Sequence, residues 1–362
     1  MGGAHPGNVT LSPLTFANLA GWADDDHAAA FAAFRAGGGV LEQYPPKLRA
    51  LGGDADALAA ILARTGDLPN LSSTDARGFF ETAFAPFEVV PAGGAAFFTG
   101  YYEPEVAGSR TRTAEFAVPL YRAPPDLVEI EPGSVAELDP SFRFALKTAS
   151  GFAECPDRAA IVNGALAGRD LELVWLADPV DAFFIHVQGA ARIRFADGGT
   201  MRVTYAAKTG HPYTHISRVL VEMRALTRDE ATMQGIRAWL AAHPDKADAV
   251  LARNRSYIFF REAPVADDRL GPIAAAKVPL TAMRSLAVDR LLHTFHSPVW
   301  VETTLPDGTP FRRLTITQDT GSAIVGPARG DIFFGSGVEA GEIAGRMRAG
   351  GRFVLLMPKG TP

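Results

Sequence analysis

Cysteine, long apolar runs and clustered basic residues are all scarce in this sequence. A single cysteine, Cys155, in 362 residues excludes an internal disulfide and a cysteine-based metal cluster. No run of 18 apolar residues occurs, so the sequence predicts no transmembrane helix. The first residues, MGGAHPG, lack the basic and apolar segments of a secretory signal, so the printed start predicts no signal peptide.

The charge pattern argues against nucleic acid as a partner. The formal net charge is -5 and the pI is about 5.9, whereas phosphate binding requires clustered Lys and Arg. The eight histidines show no HExxH or comparable ligand spacing, so we expect neither a metal nor another cofactor. With 47% hydrophobic and 21% charged residues, the chain is typical of a soluble globular protein long enough for two domains.

Helical patterns occupy three regions of the chain. Residues 28–64 contain good helix formers broken into short helices, and residues 73–85 predict a helix capped by Ser73 or Thr74. Residues 214–253 place apolar side chains at helical spacing.

Short β-rich runs separated by turn residues dominate from about residue 87 onward. They cover residues 95–102, 116–121, 173–176, 183–188, 191–195, 201–206, 257–260, 299–304, 314–317, 331–334 and 353–357, with a short helix at 339–347. The turns at 197–199 and 306–308 predict hairpins, and residues 192–195 and 202–205 alternate as half-buried strands do. Many short strands with regular turns favour β-barrels over a parallel α/β sheet.

The clearest candidates for chemistry are two aspartates in the C-terminal region. Asp319 follows a β-run, and Asp331 opens another β-run twelve residues later. Two carboxylates presented from neighbouring strands share a site, where burial and mutual repulsion raise one pKa. A carboxylic acid that stays protonated at neutral pH can protonate a glycosidic oxygen.

Two further segments have the composition of a sugar-binding surface. Residues 97–104 read FFTGYYEP, in which tyrosines can stack on pyranose rings. Gln188, at the end of a predicted strand and next to Gly189, can hydrogen-bond an acetamido group. His186 lies within that same apolar run and is interpreted as a core residue.

These segments together resemble the membrane-bound lytic transglycosylase A family from about residue 97 to residue 357. The motif TGYYEP at 99–104 resembles the first family motif, and HVQG at 186–189 and KTGHPY at 208–213 resemble the middle ones. The C-terminal part is similar to a domain with three aspartates, which map to Asp289, Asp319 and Asp331. Two departures are Gly189-Ala190-Ala191 in place of a Gly-Ser-Gly run, and Ser322 in place of a glycine.

The resemblance implies a mainly β fold with helical decoration. A double-psi β-barrel domain, residues 1–100 and 258–362, would carry an inserted, smaller β-barrel domain, residues 101–257, with a glycan groove between them. Asp331 would be the catalytic acid–base group, Asp319 its partner, and Asp289 and Gly321 supporting residues. The residues implied in substrate binding are Thr99, Gly100, Tyr101, Tyr102, Gln188, Gly189, Lys208, Gly210, His211 and Tyr213.

The activity implied is non-hydrolytic cleavage of peptidoglycan glycan strands in the cell envelope. The family would place the chain in the periplasm, associated with the outer membrane and with other cell-wall enzymes. Three alternatives stay open on the residues alone. The Asp319/Asp331 pair could serve a polysaccharide hydrolase, the chain could bind glycans without turnover, and DTGS at 319–322 spells the aspartic protease signature, which however needs two copies.

Overall fold

Contacts between residues divide the chain into two compact units. A computed structural model describes residues 9–92, 94–264 and 267–360. Unit 1 spans Glu103–Ala266, and unit 2 combines Gly2–Tyr102 with Asp267–Pro362. The seven N-terminal residues that carried the expectation about a signal peptide lie outside the described residues. The domain boundaries expected at 100/101 and 257/258 stay a prediction.

Helices and strands are numbered separately in chain order. The helices are α1 (His27–Ala36), α2 (Ala55–Thr65), α3 (Ser73–Ala83), α4 (Arg158–Val162), α5 (Pro179–Gln188), α6 (Ile216–Glu222), α7 (Met233–Ala242), α8 (Pro244–Leu251) and α9 (Gly337–Ala344). The strands are β1 (Val9–Pro13), β2 (Phe84–Pro91), β3 (Ala96–Glu103), β4 (Glu105–Ser109), β5 (Val118–Tyr121), β6 (Leu127–Glu129), β7 (Phe144–Thr148), β8 (Gly151–Ala153), β9 (Glu172–Leu176), β10 (Ala190–Arg194), β11 (Thr200–Lys208), β12 (Ile258–Ala263), β13 (Ser285–Ala287), β14 (Pro298–Thr304), β15 (Pro310–Asp319), β16 (Arg329–Ser336) and β17 (Arg348–Pro358).

An eight-stranded sheet forms the framework of unit 2 in the described part of the chain. Its order is β1-β2-β17-β14-β15-β13-β16-β3, and β3 also pairs with β17. The six strands β17, β14, β15, β13, β16 and β3 therefore pair in a closed ring. A barrel removes its open edges by the same arrangement. Within it β13 runs parallel to β15 and antiparallel to β16. The expectation of a mainly β fold with helices is confirmed.

The helices α1, α2 and α3 cover one face of this sheet with an apolar core. Phe34, Leu58, Phe80 and Trp300 are fully buried there, and the rings of Trp22 and Trp300 meet edge to face at 5.2 Å. Buried polar side chains also hydrogen-bond the helical segment to the sheet.

Two sets of buried hydrogen bonds connect the helical segment to the sheet. The amide of Gln318 on β15 donates to the Ala33 carbonyl in α1 at 2.8 Å. Arg284 donates to both carboxylate oxygens of Asp25, at 2.7 and 2.9 Å. The N-cap of α3 is Ser72, which accepts from the Asp75 backbone. The prediction of Ser73 or Thr74 as that cap was therefore wrong by one residue or two.

Unit 1 contains a six-stranded sheet, β12-β11-β10-β4-β9-β5, and a three-stranded sheet, β6-β7-β8. The turn at 197–199 joins β10 to β11 as an antiparallel hairpin, and the turn at 306–308 joins β14 to β15 in unit 2. Both hairpin predictions are confirmed. Helices α4 to α8 complete unit 1, with α6, α7 and α8 inside the region predicted helical.

The prediction of a strand at residues 183–188 was wrong, because this segment forms helix α5. Asp178 caps the helix by accepting from Val180 at 2.7 Å, Pro179 occupies the first turn, and Gly189 ends it with φ of 81°. Ile185 packs into the core of the sheet, whereas Phe183 and Phe184 pack against α6, α7 and α8. A helix buried on several faces shows no helical hydrophobic period, so a short segment with four apolar residues in six resembles a strand.

Candidate active site

Asp319 and Asp331 lie on the two sides of strand β13 in unit 2. Asp319 ends β15 and pairs in register with Ala287 of β13, and Asp331 near the start of β16 pairs with the same Ala287. Residues in register point to the same face of a sheet, so both carboxylates share one face, with backbones about 9–10 Å apart, two strand spacings. The predicted pair is therefore brought together across one intervening strand.

Three donors hold the carboxylate of Asp319. Its Oδ1 accepts from the backbone N–H groups of Thr320 at 2.9 Å and Ala275 at 3.3 Å. Its Oδ2 accepts from the Tyr101 hydroxyl at 3.0 Å. Burial and the nearby charge of Asp331 raise the pKa of Asp319, the three donors lower it, and the balance is a pKa of about 6. Asp319 is thus mainly ionised at neutral pH.

Asp331 is surrounded differently. Its Oδ1 accepts a short hydrogen bond from the Thr99 hydroxyl, and the guanidinium of Arg329 donates to that same hydroxyl. Burial is the main cause that raises the pKa of Asp331, opposed by the charge of Arg329 and by the Thr99 hydrogen bond. Because the two carboxylates have different hydrogen-bond partners, their pKa values can differ, so that one is protonated while the other is ionised.

Strand β3 supplies the other groups of this site. Burial and the two aspartates raise the pKa of Tyr101 well above its ordinary value, so its hydroxyl remains a donor. Its ring packs 5.3 Å from that of Phe333 on β16. A Cβ at Gly100 would lie 2.5 Å from the ring of Phe334, so only glycine fits there. Tyr102 is 8% exposed and packs over Gly341 of α9.

Asp289 braces the loop between β15 and β16. Its two oxygens accept from the backbone of Leu291 and of Gly326, both at 3.0 Å, and it is 4% exposed. Gly321 lies in the same loop, where its carbonyl accepts from Ile324. These contacts support a structural role for both predicted supporting residues.

The remaining predicted substrate residues lie in unit 1. Gln188 and Gly189 end α5, and Lys208 ends β11. Gly210 has φ of 89°, and a Cβ there would lie 2.9 Å from the Phe144 carbonyl. The other two residues of the 208–213 motif are more enclosed.

His211 and Tyr213 are held by neighbours in unit 1. His211 is 2% exposed, with Nε2 2.7 Å from the Cys155 carbonyl and Nδ1 3.1 Å from Glu154. Burial raises the pKa of Tyr213 to about 12, opposed by the charge of Arg158. These contacts fix the positions of the His211 and Tyr213 side chains within unit 1, and they do not identify a ligand for either residue.

Sequence reasoning missed two groups of charged residues. Arg329 lies two residues before Asp331 on β16 and therefore faces the same side, a signal that the period of two could have provided. Glu103, fully buried, accepts from Arg192 at 2.8 Å and Arg202 at 2.6 Å. The prediction of half-buried strands was wrong for these two arginines, which are 8% and 3% exposed, because Glu103 compensates their charge.

No group of three or more His, Cys, Asp or Glu side chains with metal-binding geometry occurs among residues 9–92, 94–264 and 267–360. Within those same ranges no helix is long and apolar enough to cross a bilayer.

Comparison with known proteins assigns the family. The chain matches the MltA specific insert domain over residues 97–261 and the 3D domain over residues 284–357. A crystal structure of membrane-bound lytic murein transglycosylase from Agrobacterium tumefaciens is 46% identical, with a TM-score of 0.90 over 97% of this chain and 98% of that chain. The chain belongs to the membrane-bound lytic murein transglycosylase A family.

Two Escherichia coli proteins extend the comparison. Membrane-bound lytic murein transglycosylase A of strain K12 is 32% identical over 72% of this chain, and the match spans 65% of that protein's length. The crystal structure of E. coli MltA with bound chitohexaose has a TM-score of 0.65 at 25% identity, covering 98% of this chain and 93% of that chain.

Proposed function

We propose that this family member is a peptidoglycan lytic transglycosylase that cleaves the bond between N-acetylmuramic acid and N-acetylglucosamine without water. The observation that carries the proposal is the pair of carboxylates on one face of the sheet, Asp319 with three donors and Asp331 with one. The chitohexaose bound to the E. coli relative supports a glycan as the ligand.

Asp331 acts first as an acid. Its proton moves to the glycosidic oxygen as the bond from that oxygen to C1 of the muramic sugar breaks, which leaves an oxocarbenium-like centre at C1. Asp319, mainly ionised with a pKa of about 6, contributes a negative charge that stabilises this centre and favours the protonated form of Asp331 beforehand.

Asp331 then acts as a base. Its carboxylate takes the proton of the C6 hydroxyl of the same muramic sugar, and the C6 oxygen closes on C1 to form the 1,6-anhydro ring. The proton lost in the first step is regained in the second, and no water is consumed. An internal nucleophile outcompetes water because its effective concentration is high.

The predicted contact residues complete the proposal. In unit 2 the proposed glycan contacts are Thr99, Gly100, Tyr101 and Tyr102. In unit 1, which is inserted along the chain between the two segments of unit 2, they are Gln188, Gly189, Lys208, Gly210, His211 and Tyr213. The curated relatives are named membrane-bound, which supports a reaction in the cell envelope. We propose the periplasmic face of the outer membrane, with contacts to other cell-wall enzymes.

Product analysis tests the reaction. Purified sacculi are digested with the wild-type chain, with Asp331→Asn, and with Asp307→Asn as a control in the exposed β14–β15 turn. We expect muropeptides lighter by one water than hydrolytic products from the wild type and the control, and a loss of at least about a hundredfold in rate for Asp331→Asn.

The other results separate the alternatives. Reducing ends from the wild type would assign a hydrolase that uses the same two carboxylates. Binding to sacculi without release of any fragment would assign a glycan-binding protein. Undiminished release by Asp331→Asn would remove Asp331 from the acid–base role.

A further inference from the structure

The guanidinium of Arg329 is fixed beside the acid without touching it. Its Nη2 donates to the Thr99 hydroxyl at 2.6 Å, and its Nη1 donates to the adjacent Gly330 carbonyl. Its central carbon lies 5.3 Å from the centre of the Phe97 ring. A cation held by a carbonyl, a hydroxyl and an aromatic face has little freedom to turn toward another partner.

The chemistry of these groups sets the direction of each hydrogen bond. A guanidinium has five N–H donors and no acceptor. The Thr99 oxygen therefore accepts from Arg329 with one of its two lone pairs, and its single hydrogen is donated to Oδ1 of Asp331. With that contact made, Thr99 cannot also receive a proton from Oδ1.

We propose that Arg329 is a positioning residue whose relay through Thr99 confines the acid proton of Asp331 to Oδ2. Oδ2 is then the atom that donates to the glycosidic oxygen and that later takes the proton from the C6 hydroxyl. This inference rests on the proposed lytic reaction. Without Arg329, the Thr99 hydroxyl can rotate and accept from protonated Asp331, which would hold the proton in an internal hydrogen bond.

The charge of Arg329 and the Thr99 hydrogen bond both lower the pKa of Asp331. The titratable groups that face Asp331 are Arg329 from β16, Tyr101 from β3 and, across β13, Asp319 from β15. Burial raises the pKa of Asp331, and Arg329 lowers it. Loss of the cation should therefore raise the pKa of Asp331 further and keep the acid protonated to higher pH.

The test compares four single variants and one double variant by the pH dependence of kcat on a soluble glycan strand. Arg329→Met removes the donor, and Arg329→Lys retains a cation with donors only. Thr99→Val removes the relay hydroxyl, and Arg348→Met is the control, since Arg348 approaches the same Phe97 ring from β17 at 5.9 Å.

We expect Arg329→Met to lower kcat at least about tenfold and to move the basic limb of its pH profile upward. Arg329→Lys should restore part of both, and Arg348→Met should change neither. Thr99→Val added to Arg329→Met should cost little more, because both interrupt one relay. A lower kcat with an unmoved limb, or strictly additive losses, would assign Arg329 a structural role only and overturn the proposal.

A carboxyl titration separates this inference from the proposed function. Carbon-13 labelled aspartate gives the pKa of Asp331 directly, in wild type and in Arg329→Met, without any turnover. A higher pKa in the variant shows that Arg329 acts on Asp331 even if the wild-type products prove hydrolytic, and the double variant with Thr99→Val then separates the relay from the effect of the charge alone. An identical pKa in both proteins contradicts it even if the products carry anhydro ends.

Discussion

Glu103 in unit 1 and Asp331 in unit 2 are carboxylates with opposite surroundings. Glu103 in unit 1 is fully buried and meets two guanidinium groups directly, those of Arg192 and Arg202. Among residues 9–92, 94–264 and 267–360, Asp331 in unit 2 is connected to the cation Arg329 through the Thr99 hydroxyl. Thr99 and Glu103 both belong to strand β3, so one short motif contributes to both sites.

The different partners suit Glu103 to stabilising the fold and Asp331 to exchanging a proton. Direct guanidinium pairs occupy the lone pairs of Glu103, which then fixes strands β10 and β11 around it. A carboxylate with a single neutral donor keeps an oxygen available for proton exchange, at a cost in folding free energy. We therefore expect replacement of the two carboxylates by amides to change stability in opposite directions.

The largest effect should come from Glu103→Gln. The change leaves two guanidinium groups buried with no carboxylate between them, and breaking a buried ion pair in this way costs about 3–5 kcal/mol. The free energy of unfolding in guanidinium chloride measures it. Glu105→Gln is the matched control, since Glu105 pairs with the exposed Arg194 and should cost no more than about 1 kcal/mol. Equal losses in both variants would remove the distinction drawn for Glu103.

Asp331→Asn should have a smaller effect of the opposite sign. Because the folded protein raises the pKa of Asp331, ionisation opposes folding at every pH above the ordinary carboxyl range. The amide avoids this, so we expect the variant to be more stable at pH 8, by about 0.5–2 kcal/mol. The difference should disappear only well below the ordinary carboxyl pKa, where Asp331 is neutral in both the folded and the unfolded state. Thermal unfolding across that pH range measures it, and a destabilised variant at pH 8 would contradict it.

The smallest effect should come from Tyr101→Phe. The Tyr101 hydroxyl lowers the pKa of Asp319 from above its present value of about 6, so its loss should raise that pKa and reduce the ionised fraction near pH 6. We expect activity to fall about threefold to tenfold, the worth of one hydrogen bond, and more at pH 6 than at pH 8. Tyr44→Phe, at an exposed tyrosine, is the control. A loss independent of pH would show that Tyr101 does not act through Asp319.

Much of this arrangement could be predicted from the sequence, because local signals agreed with the fold. Both hairpins have turn residues between alternating strands, and the spacing of Asp319 and Asp331 placed them in one site. Helix α5 was missed because its side chains are buried on several faces. The partner of Arg192 and Arg202 was missed because Glu103 is 89 and 99 residues earlier in the chain, respectively, and no local pattern encodes such a contact.

The edge-to-face pair of Trp22 and Trp300 makes the core of unit 2 observable by optical spectroscopy. At a centroid distance of 5.2 Å and an interplanar angle of 68°, their electronic transitions couple, and coupled indoles give a circular dichroism signal that vanishes when side-chain packing is lost. Trp22 comes from the N-terminal segment and Trp300 from β14. The signal therefore reports whether the two distant parts of the chain that make up this unit have come together.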